Sequence, residues 1–264
     1  MTSKVIAALA LGTLLLAGCA DASTDTARHL TQSEAQLMAV ARFKNYNTGT
    51  RTIIATIHDG TDEWNVRGWY DYARDVGYAS LTNARGGTTA RAAALLLWSK
   101  HLLFSRNADG LAGRSMPPLP VPDASQLEDK WKSTPYEPTE FAAHAALLIL
   151  ASLGFDRPEN PLLLRQSDAQ WLREDHLGKT PVDVFAGPTG ASADDSGPTS
   201  PATDRPASPE TSTVRYWLNR SGLMLRVEMR LGTAEWSKVD FGSPSKSTVV
   251  ELPDLSALSE SEGR

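Results

Sequence analysis

The sequence predicts an α+β protein in which helices cover one face of an antiparallel sheet. Two stretches, 64–72 and 223–231, alternate apolar and polar residues with the period of a half-buried strand. Other short strand-like segments are separated by turns rich in Gly, Asp or Ser, such as 59–62 and 220–222. The stretch 139–154, by contrast, is typical of a helix that is apolar nearly all round. Such a helix is buried, which favours a sheet with one dry face and one wet face.

The amino terminus has the pattern of a bacterial lipoprotein signal. Lys4 precedes an apolar run over 5–16, which is short for a bilayer span but has the length of a secretory signal. Residues 16–19, Leu-Ala-Gly-Cys, match the lipobox at all four positions. We therefore expect removal of residues 1–18 and a diacylglycerol thioether on Cys19, with or without an acyl group on its new amino terminus. The alternative is an ordinary secreted protein in which Cys19 has no special role.

Composition limits where the protein acts and what it binds. The chain has 26 Lys and Arg against 31 Asp and Glu and contains no polybasic patch, which argues against nucleic acid as a partner. Cys19 is the single cysteine, so no disulfide can form within the chain. Because one acyl chain binds a membrane only marginally, two or three would provide the anchor. We expect attachment to the extracytoplasmic face of the cell membrane.

The mature chain is predicted to form a single domain over 30–255. A flexible tether over 19–29 joins it to the lipid, and a loose tail follows over 256–264. A proline-rich connection over 107–137 and an insertion over 187–212, which is predicted to be disordered, interrupt the domain.

Strand and helix boundaries follow from period and turn chemistry. The spacing of Thr31 and Glu34 predicts a capping box that begins a helix over 31–43. Strands are predicted at 51–58, 64–72, 76–82, 92–98, 102–106, 162–165, 170–173, 180–185, 214–219, 223–231, 234–241 and 247–252.

The order of these features along the chain is similar to that of a known protein family. The chain begins with a lipobox and an early helix, continues with strands and a very apolar helix, and ends with further strands. Those final strands contain the sequences Tyr-Trp-Leu-Asn-Arg-Ser-Gly-Leu-Met-Leu-Arg-Val-Glu over 216–228 and Trp-Ser-Lys-Val-Asp-Phe-Gly over 236–242. The pattern resembles the LolA-like lipoproteins of the LppX/LprA/LprF/LprG group. The resemblance implies a half-barrel, a strongly curved antiparallel sheet with helices across its concave face. It also implies a cavity that carries a lipid or acyl chain.

A cavity of this kind has its own physical basis. An acyl chain that enters it gains about 0.8 kcal/mol per methylene, roughly what it gains in a membrane, so transfer is close to neutral. Each candidate lining residue is also interpretable as ordinary core. The candidates are Ile53, Ile57, Trp64, Val66, Leu96, Trp98, Leu147, Leu150, Leu225, Val227 and Met229.

The sequence contains no pattern of an enzyme. The histidines lack metal-ligand spacing, and HExxH, GxSxG and phosphate-binding glycine loops are absent. The acidic pairs at 62–63 and 174–175 are adjacent, so on a strand their side chains would point to opposite faces. We therefore predict no catalytic residue, no metal and no cofactor. The histidines are His29, His58, His101, His144 and His176.

Two functional hypotheses follow from this sequence. The first is a membrane-anchored envelope lipoprotein that binds or transfers an amphipathic lipid, glycolipid or acyl chain between sheet and helices. The second is a non-enzymatic interaction or sensor lipoprotein, of the envelope-stress regulator type, that binds a protein partner. An open apolar cavity favours the first hypothesis, and an interior filled with bulky side chains favours the second.

Overall fold

The computed structural model describes residues 27–84, 92–107, 116–119, 131–189, 212–232, 235–242, 252 and 255. The predicted signal over 1–18, the anchor Cys19, the strand over 247–252 except its last residue, and the tail over 256–264 lie outside this part of the chain. Most of the proline-rich connection and of the insertion over 187–212 lie outside it as well.

Within the described ranges, twelve strands form one open antiparallel sheet, which confirms the predicted sheet type. The two-residue strands β1 and β7 are its edges, and pairing of β12 with β2 joins its two halves. The spatial order is β1-β8-β9-β10-β11-β12-β2-β3-β4-β5-β6-β7. The strands are β1 (Arg28–His29), β2 (Thr50–Asp59), β3 (Asp62–Asp71), β4 (Val76–Asn83), β5 (Ala92–Trp98), β6 (Leu103–Asn107), β7 (Lys132–Ser133), β8 (Gln170–Leu177), β9 (Thr180–Ala186), β10 (Val214–Asn219), β11 (Met224–Arg230) and β12 (Trp236–Phe241).

Helix α1 (Gln32–Ala39) begins at the predicted capping box. The Thr31 hydroxyl accepts from the Glu34 N–H at 3.4 Å, and the Glu34 carboxylate accepts from the Thr31 N–H at 2.8 Å. The chain bends at Val40 and continues as α2 (Ala41–Thr48), so the predicted single helix is two. Helix α3 (Ala142–Ser152) lies within the stretch predicted to be a buried helix.

The strand predicted over 162–165 is wrong, because these residues belong to helix α4 (Pro161–Gln166). The Asn160 side chain accepts from the Leu162 N–H at 2.9 Å and caps the helix. Pro161 occupies the first helical position, where its missing N–H leaves no intrahelical bond unmade. Three consecutive leucines carry neither a helical nor a strand period, so the cap and the proline were the usable signals.

Both faces of the sheet carry buried apolar side chains. On one face, here called the helical face, strand residues such as Ile53, Val66 and Val227 pack with residues of α1, α2 and α3. On the opposite or outer face, Trp69, Tyr78 and Leu97 pack with Trp131, Leu252 and Leu255. A second outer-face cluster is formed by Leu172, Val182, Val184, Ala186 and Trp217. The prediction of one wet face therefore holds for only part of the outer surface.

A β-bulge in β11 overturns the strict alternation predicted over 223–231. Leu218 pairs with Met224 but Trp217 pairs with Arg226, so Leu225 is an extra residue. The extra residue exchanges the faces of the sheet toward which the side chains before and after the bulge point. Met224, Val227 and Met229 consequently pack on the helical face, whereas Leu225 packs against the outer-face cluster around Trp217.

The predicted tether over 19–29 is shorter than expected, because its last residues belong to the sheet. Arg28 pairs with Trp171 of β8 and its guanidinium lies 4.2 Å from the centre of the Trp171 ring. Arg28 also forms an ion pair with Glu34 at 2.7 Å. In the part of the chain that the structure describes, no helix is both long and apolar enough to cross a membrane.

Candidate ligand pocket

A cavity of about 470 Å³ lies between the amino-terminal end of α3 and strands β3 to β6. We call it the α3 pocket. Its volume falls in the range of about 300–1,000 Å³ typical of small-molecule sites. Its lining residues are Asp59, Asp62, Trp64, Leu81, Ala94, Leu96, Leu103, Ser105, Thr134, Glu140, Phe141, Ala143, His144 and Leu147.

The floor of the α3 pocket is apolar because alternate residues of neighbouring strands face the same side. Leu81 of β4 pairs with Ala94 of β5, and Leu96 follows Ala94 at the two-residue period. Leu103 of β6 extends this surface, and Leu147 of α3 faces it from the helix. The pocket can therefore bind an apolar group by burial alone.

The rest of the lining of the α3 pocket includes three acidic residues, Asp59, Asp62 and Glu140. The Asp59 carboxylate, at the end of β2, accepts from the Ala142 N–H at 3.3 Å. Phe141, the N-cap residue of α3, makes no side-chain capping bond, so Asp59 satisfies the first N–H of the helix in its place. A carboxylate is also stabilised by the partial positive charge at a helix amino terminus.

His144 lines the same pocket in its neutral form. Its Nδ1 accepts from the Glu137 N–H at 3.1 Å, which requires that this nitrogen carry no proton. Burial lowers the pKa of His144, although the charge of Glu137 opposes that shift. Its ring lies 6.0 Å from that of Tyr136 and 5.1 Å from that of Phe141. No group of three or more His, Cys, Asp or Glu among the described residues is placed to hold a metal ion.

A second cavity, of about 330 Å³, lies between α1, α2, α4 and strands β10 and β11. We call it the α1 pocket. In its lining, Arg42 forms an ion pair with Glu159 at 2.8 Å and donates to the Ser152 carbonyl at 2.9 Å. Burial raises the pKa of Tyr216, another lining residue, to about 12. The lining also contains Met38, Ala41, Leu153, Leu164, Pro188, Leu218 and Met224.

A buried arginine ties together the elements close to the α1 pocket. Arg51 is 1% exposed and donates to the Asn45 side chain at 2.9 Å, the Met224 carbonyl at 3.1 Å and the Gly242 carbonyl at 3.1 Å. Burial lowers the pKa of Arg51 to about 10, so the guanidinium remains charged at neutral pH. These bonds join β2 to α2 and to the ends of β11 and β12, which is a structural role.

The structure divides the eleven predicted cavity residues into three groups. Trp64, Leu96 and Leu147 line the α3 pocket. Leu225 lies on the outer face because of the bulge. The others line neither pocket and form solid core on the helical face, each at 0% exposure: Ile53, Ile57, Val66, Trp98, Leu150, Val227 and Met229.

Helix α3 shows how the core separates the two cavities. Leu147 lines the α3 pocket, Leu150 is fully buried, and Leu153 lines the α1 pocket. These leucines follow one another at intervals of three residues, so they succeed one another along one side of the helix. Leu150 is therefore part of a partition between the pockets.

Sequence reasoning missed Leu81, Ala94, Leu103, Phe141 and Ala143 as lining residues of the α3 pocket. For two of them a signal was present. Ala94 precedes Leu96 by two residues on a strand, and Ala143 precedes Leu147 by four residues on a helix, so each shares a face with a predicted residue. Their small size made them look less important than the large apolar residues around them.

The fold and the cavity define the class of protein: an α+β domain with an open antiparallel sheet, helices on one face, and an apolar pocket beneath one of them. A scan against models of protein families and a search of curated proteins found no match to this chain.

Proposed function

We propose that this chain is a membrane-anchored envelope protein that binds an acyl chain or a small amphiphile in the α3 pocket. The observation that carries the proposal is the continuous apolar surface formed by Leu81, Ala94, Leu96 and Leu147 in a cavity of about 470 Å³. The mechanism is burial, with no covalent step. Because each methylene gains about as much in the pocket as in a bilayer, binding remains reversible.

The amino-terminal sequence supports the anchored part of the proposal. Residues 16–19 match the lipobox, and Cys19 is the one residue in the chain that can carry a thioether-linked lipid. The protein would then remain at the extracytoplasmic face of the cell membrane. An open antiparallel sheet covered by helices on one face is also the arrangement expected of a LolA-like half-barrel, the architecture that the sequence pattern resembles.

A second candidate function is supported by a different observation. The centre of the helical face is filled by side chains at 0% exposure, including Ile53, Val227 and Met229. A filled centre favours an interaction or sensor lipoprotein, because such a protein binds its partner at its surface and needs no interior cavity. In that case the α3 pocket would hold a side chain of a protein partner in place of a lipid.

Native mass spectrometry with organic extraction tests the first proposal. The protein is exported in its own host behind a cleavable signal without a lipobox, so that the mature chain begins at Ala20 and any lipid found is a bound ligand and not the anchor. Ala143→Phe projects a ring into the α3 pocket, and Ser152→Phe places the same ring beside the α1 pocket on the same helix. We expect a stoichiometric adduct in the unmodified chain and in Ser152→Phe, and its loss in Ala143→Phe.

Two results would contradict this proposal. One is an adduct of equal occupancy in both phenylalanine variants, which would locate the lipid outside the α3 pocket. The other is a ligand-free mass for a folded sample that takes up neither added fatty acid nor added phospholipid. That second result would favour a protein partner, to be sought by crosslinking in the envelope.

A further inference from the structure

Helix α4 exposes two neighbouring leucines. Leu162 is 55% exposed and Leu163 is 64% exposed, whereas the next residue, Leu164, is buried at 8% and lines the α1 pocket. The Asn160 cap and Pro161 fix the start of the helix and therefore the direction of both side chains. The two adjacent leucines therefore form an exposed apolar projection that is not packed against the rest of the described fold.

Helix α4 lies at the same edge of the fold as the start of the domain. Arg165 of α4 donates to the side chain of Gln32, the first residue of α1, at 3.2 Å. Gln32 lies five residues after Ala27, which packs against the outer-face cluster of the neighbouring strands. Helix α4, which carries the two exposed leucines, is thus bonded to the first helix after the point where the chain enters the domain.

The length of chain before that point limits the distance to the membrane. Cys19 is eight residues before Ala27, so a fully extended segment between them spans at most about 28 Å. An acyl anchor on Cys19 would therefore hold this edge of the domain against or near the bilayer. Apolar side chains at such a position are stabilised when they enter the acyl region of the bilayer.

We propose that Leu162 and Leu163 insert into the lipid bilayer and orient the domain on the membrane to which Cys19 would anchor it. The inference shares the anchor at Cys19 with the proposed function but does not depend on any ligand in the α3 pocket. Charged groups flank the projection: Arg157 and Arg165 are exposed, and so is Asp156. The two arginines can contact lipid phosphates while the leucines enter the bilayer.

Binding to vesicles tests this proposal. A chain that begins at Ala20 keeps every described residue, and vesicles of phosphatidylcholine and phosphatidylglycerol in equal amounts provide the surface. We expect Leu162→Ala with Leu163→Ala to weaken partitioning roughly a hundredfold, about tenfold for each leucine. Leu119→Ala and Ile54→Ala are matched controls, since these residues are 51% and 40% exposed elsewhere, and both variants should bind as the unmodified chain does.

A site-specific label gives a second measurement. Removal of Cys19 leaves no cysteine, so Leu163→Cys creates a unique site for a polarity-sensitive dye, and Leu119→Cys creates the matched control site. We expect a blue shift on adding vesicles for the dye at position 163 and none for the dye at position 119. Equal shifts at both sites, or unchanged partitioning of the double alanine variant, would overturn the proposal.

Dimerisation of the unmodified chain through these leucines, seen by light scattering and without vesicle binding, would also overturn the proposal and assign the projection to a second copy. A lipid adduct that persists in the double alanine variant would leave the proposed function intact whatever the vesicle result.

Discussion

The two pockets on the helical face differ in what surrounds them. The α1 pocket lies where α1, α2 and α4 meet, and the Arg42–Glu159 ion pair is part of its lining. The α3 pocket lies under the end of a single helix, and its floor is made of leucine and alanine. Where several helices converge, polar bonds tie them together and the cavity is the smaller of the two, at about 330 Å³. Where one helix covers four strands, a larger cavity of about 470 Å³ with an apolar floor remains.

The largest expected effect comes from breaking the partition between the pockets. Leu150→Ala should reduce the free energy of unfolding by about 2–5 kcal/mol, because the side chain is 0% exposed and its removal leaves a cavity. Urea denaturation measures the change, with the exposed Leu163→Ala as control. A loss below about 1 kcal/mol would show that the two pockets are not separated by solid core.

A pair of enlargements compares how tightly the two ends of α3 are packed. A Cβ at Gly154 would lie 2.6 Å from the ring of Tyr72, which is 4% exposed, so Gly154→Ala should cost about 1–3 kcal/mol. Ala143→Phe, which projects into the α3 pocket, should change stability by less than about 1 kcal/mol despite its larger size. Thermal unfolding of both variants checks the contrast, and a larger loss in Ala143→Phe would reverse it.

The ion pair at the α1 pocket should contribute less. Glu159→Gln removes its charge and should cost up to about 1 kcal/mol, because both side chains are partly exposed, Arg42 at 36% and Glu159 at 28%. Added salt should reduce the difference between variant and unmodified chain. A cost that salt leaves unchanged would mean that the side chain acts through packing or hydrogen bonding and not through charge.

The smallest effect concerns pH and the α3 pocket. Because burial lowers the pKa of His144 in the folded state, the unfolded state takes up a proton first as the pH falls below 6.5. Stability should therefore decrease on acidification from 6.5 toward the lower folded pKa and then level off. His144→Asn should lack this component. The difference between the urea midpoints of the unmodified chain and His144→Asn, measured across that pH range, isolates the contribution of His144. A difference that does not change with pH would contradict the prediction.

The sequence predicted the elements better than it predicted the site. The strands β2 to β6, the capping box of α1 and the buried helix α3 were all recoverable, because period and capping chemistry are local properties. The face of the sheet on which Leu225 lies could not be predicted, because a β-bulge depends on the pairing with the partner strand. The lining of the α3 pocket was recovered only at Trp64, Leu96 and Leu147. Core and pocket wall have the same apolar composition, and only packing distinguishes them.

The bond between Asp59 and the Ala142 N–H joins two distant parts of the chain in the lining of the α3 pocket. The two residues are 83 positions apart, so a hairpin far away in sequence holds the first turn of the helix that roofs the cavity. A positively charged group drawn to Asp59 would compete with that N–H for the same carboxylate oxygen. Losing the bond would leave the first N–H of α3 without its side-chain acceptor, because Phe141 provides no side-chain cap. The Asp59 carboxylate thus belongs both to the lining of the α3 pocket and to the cap of α3.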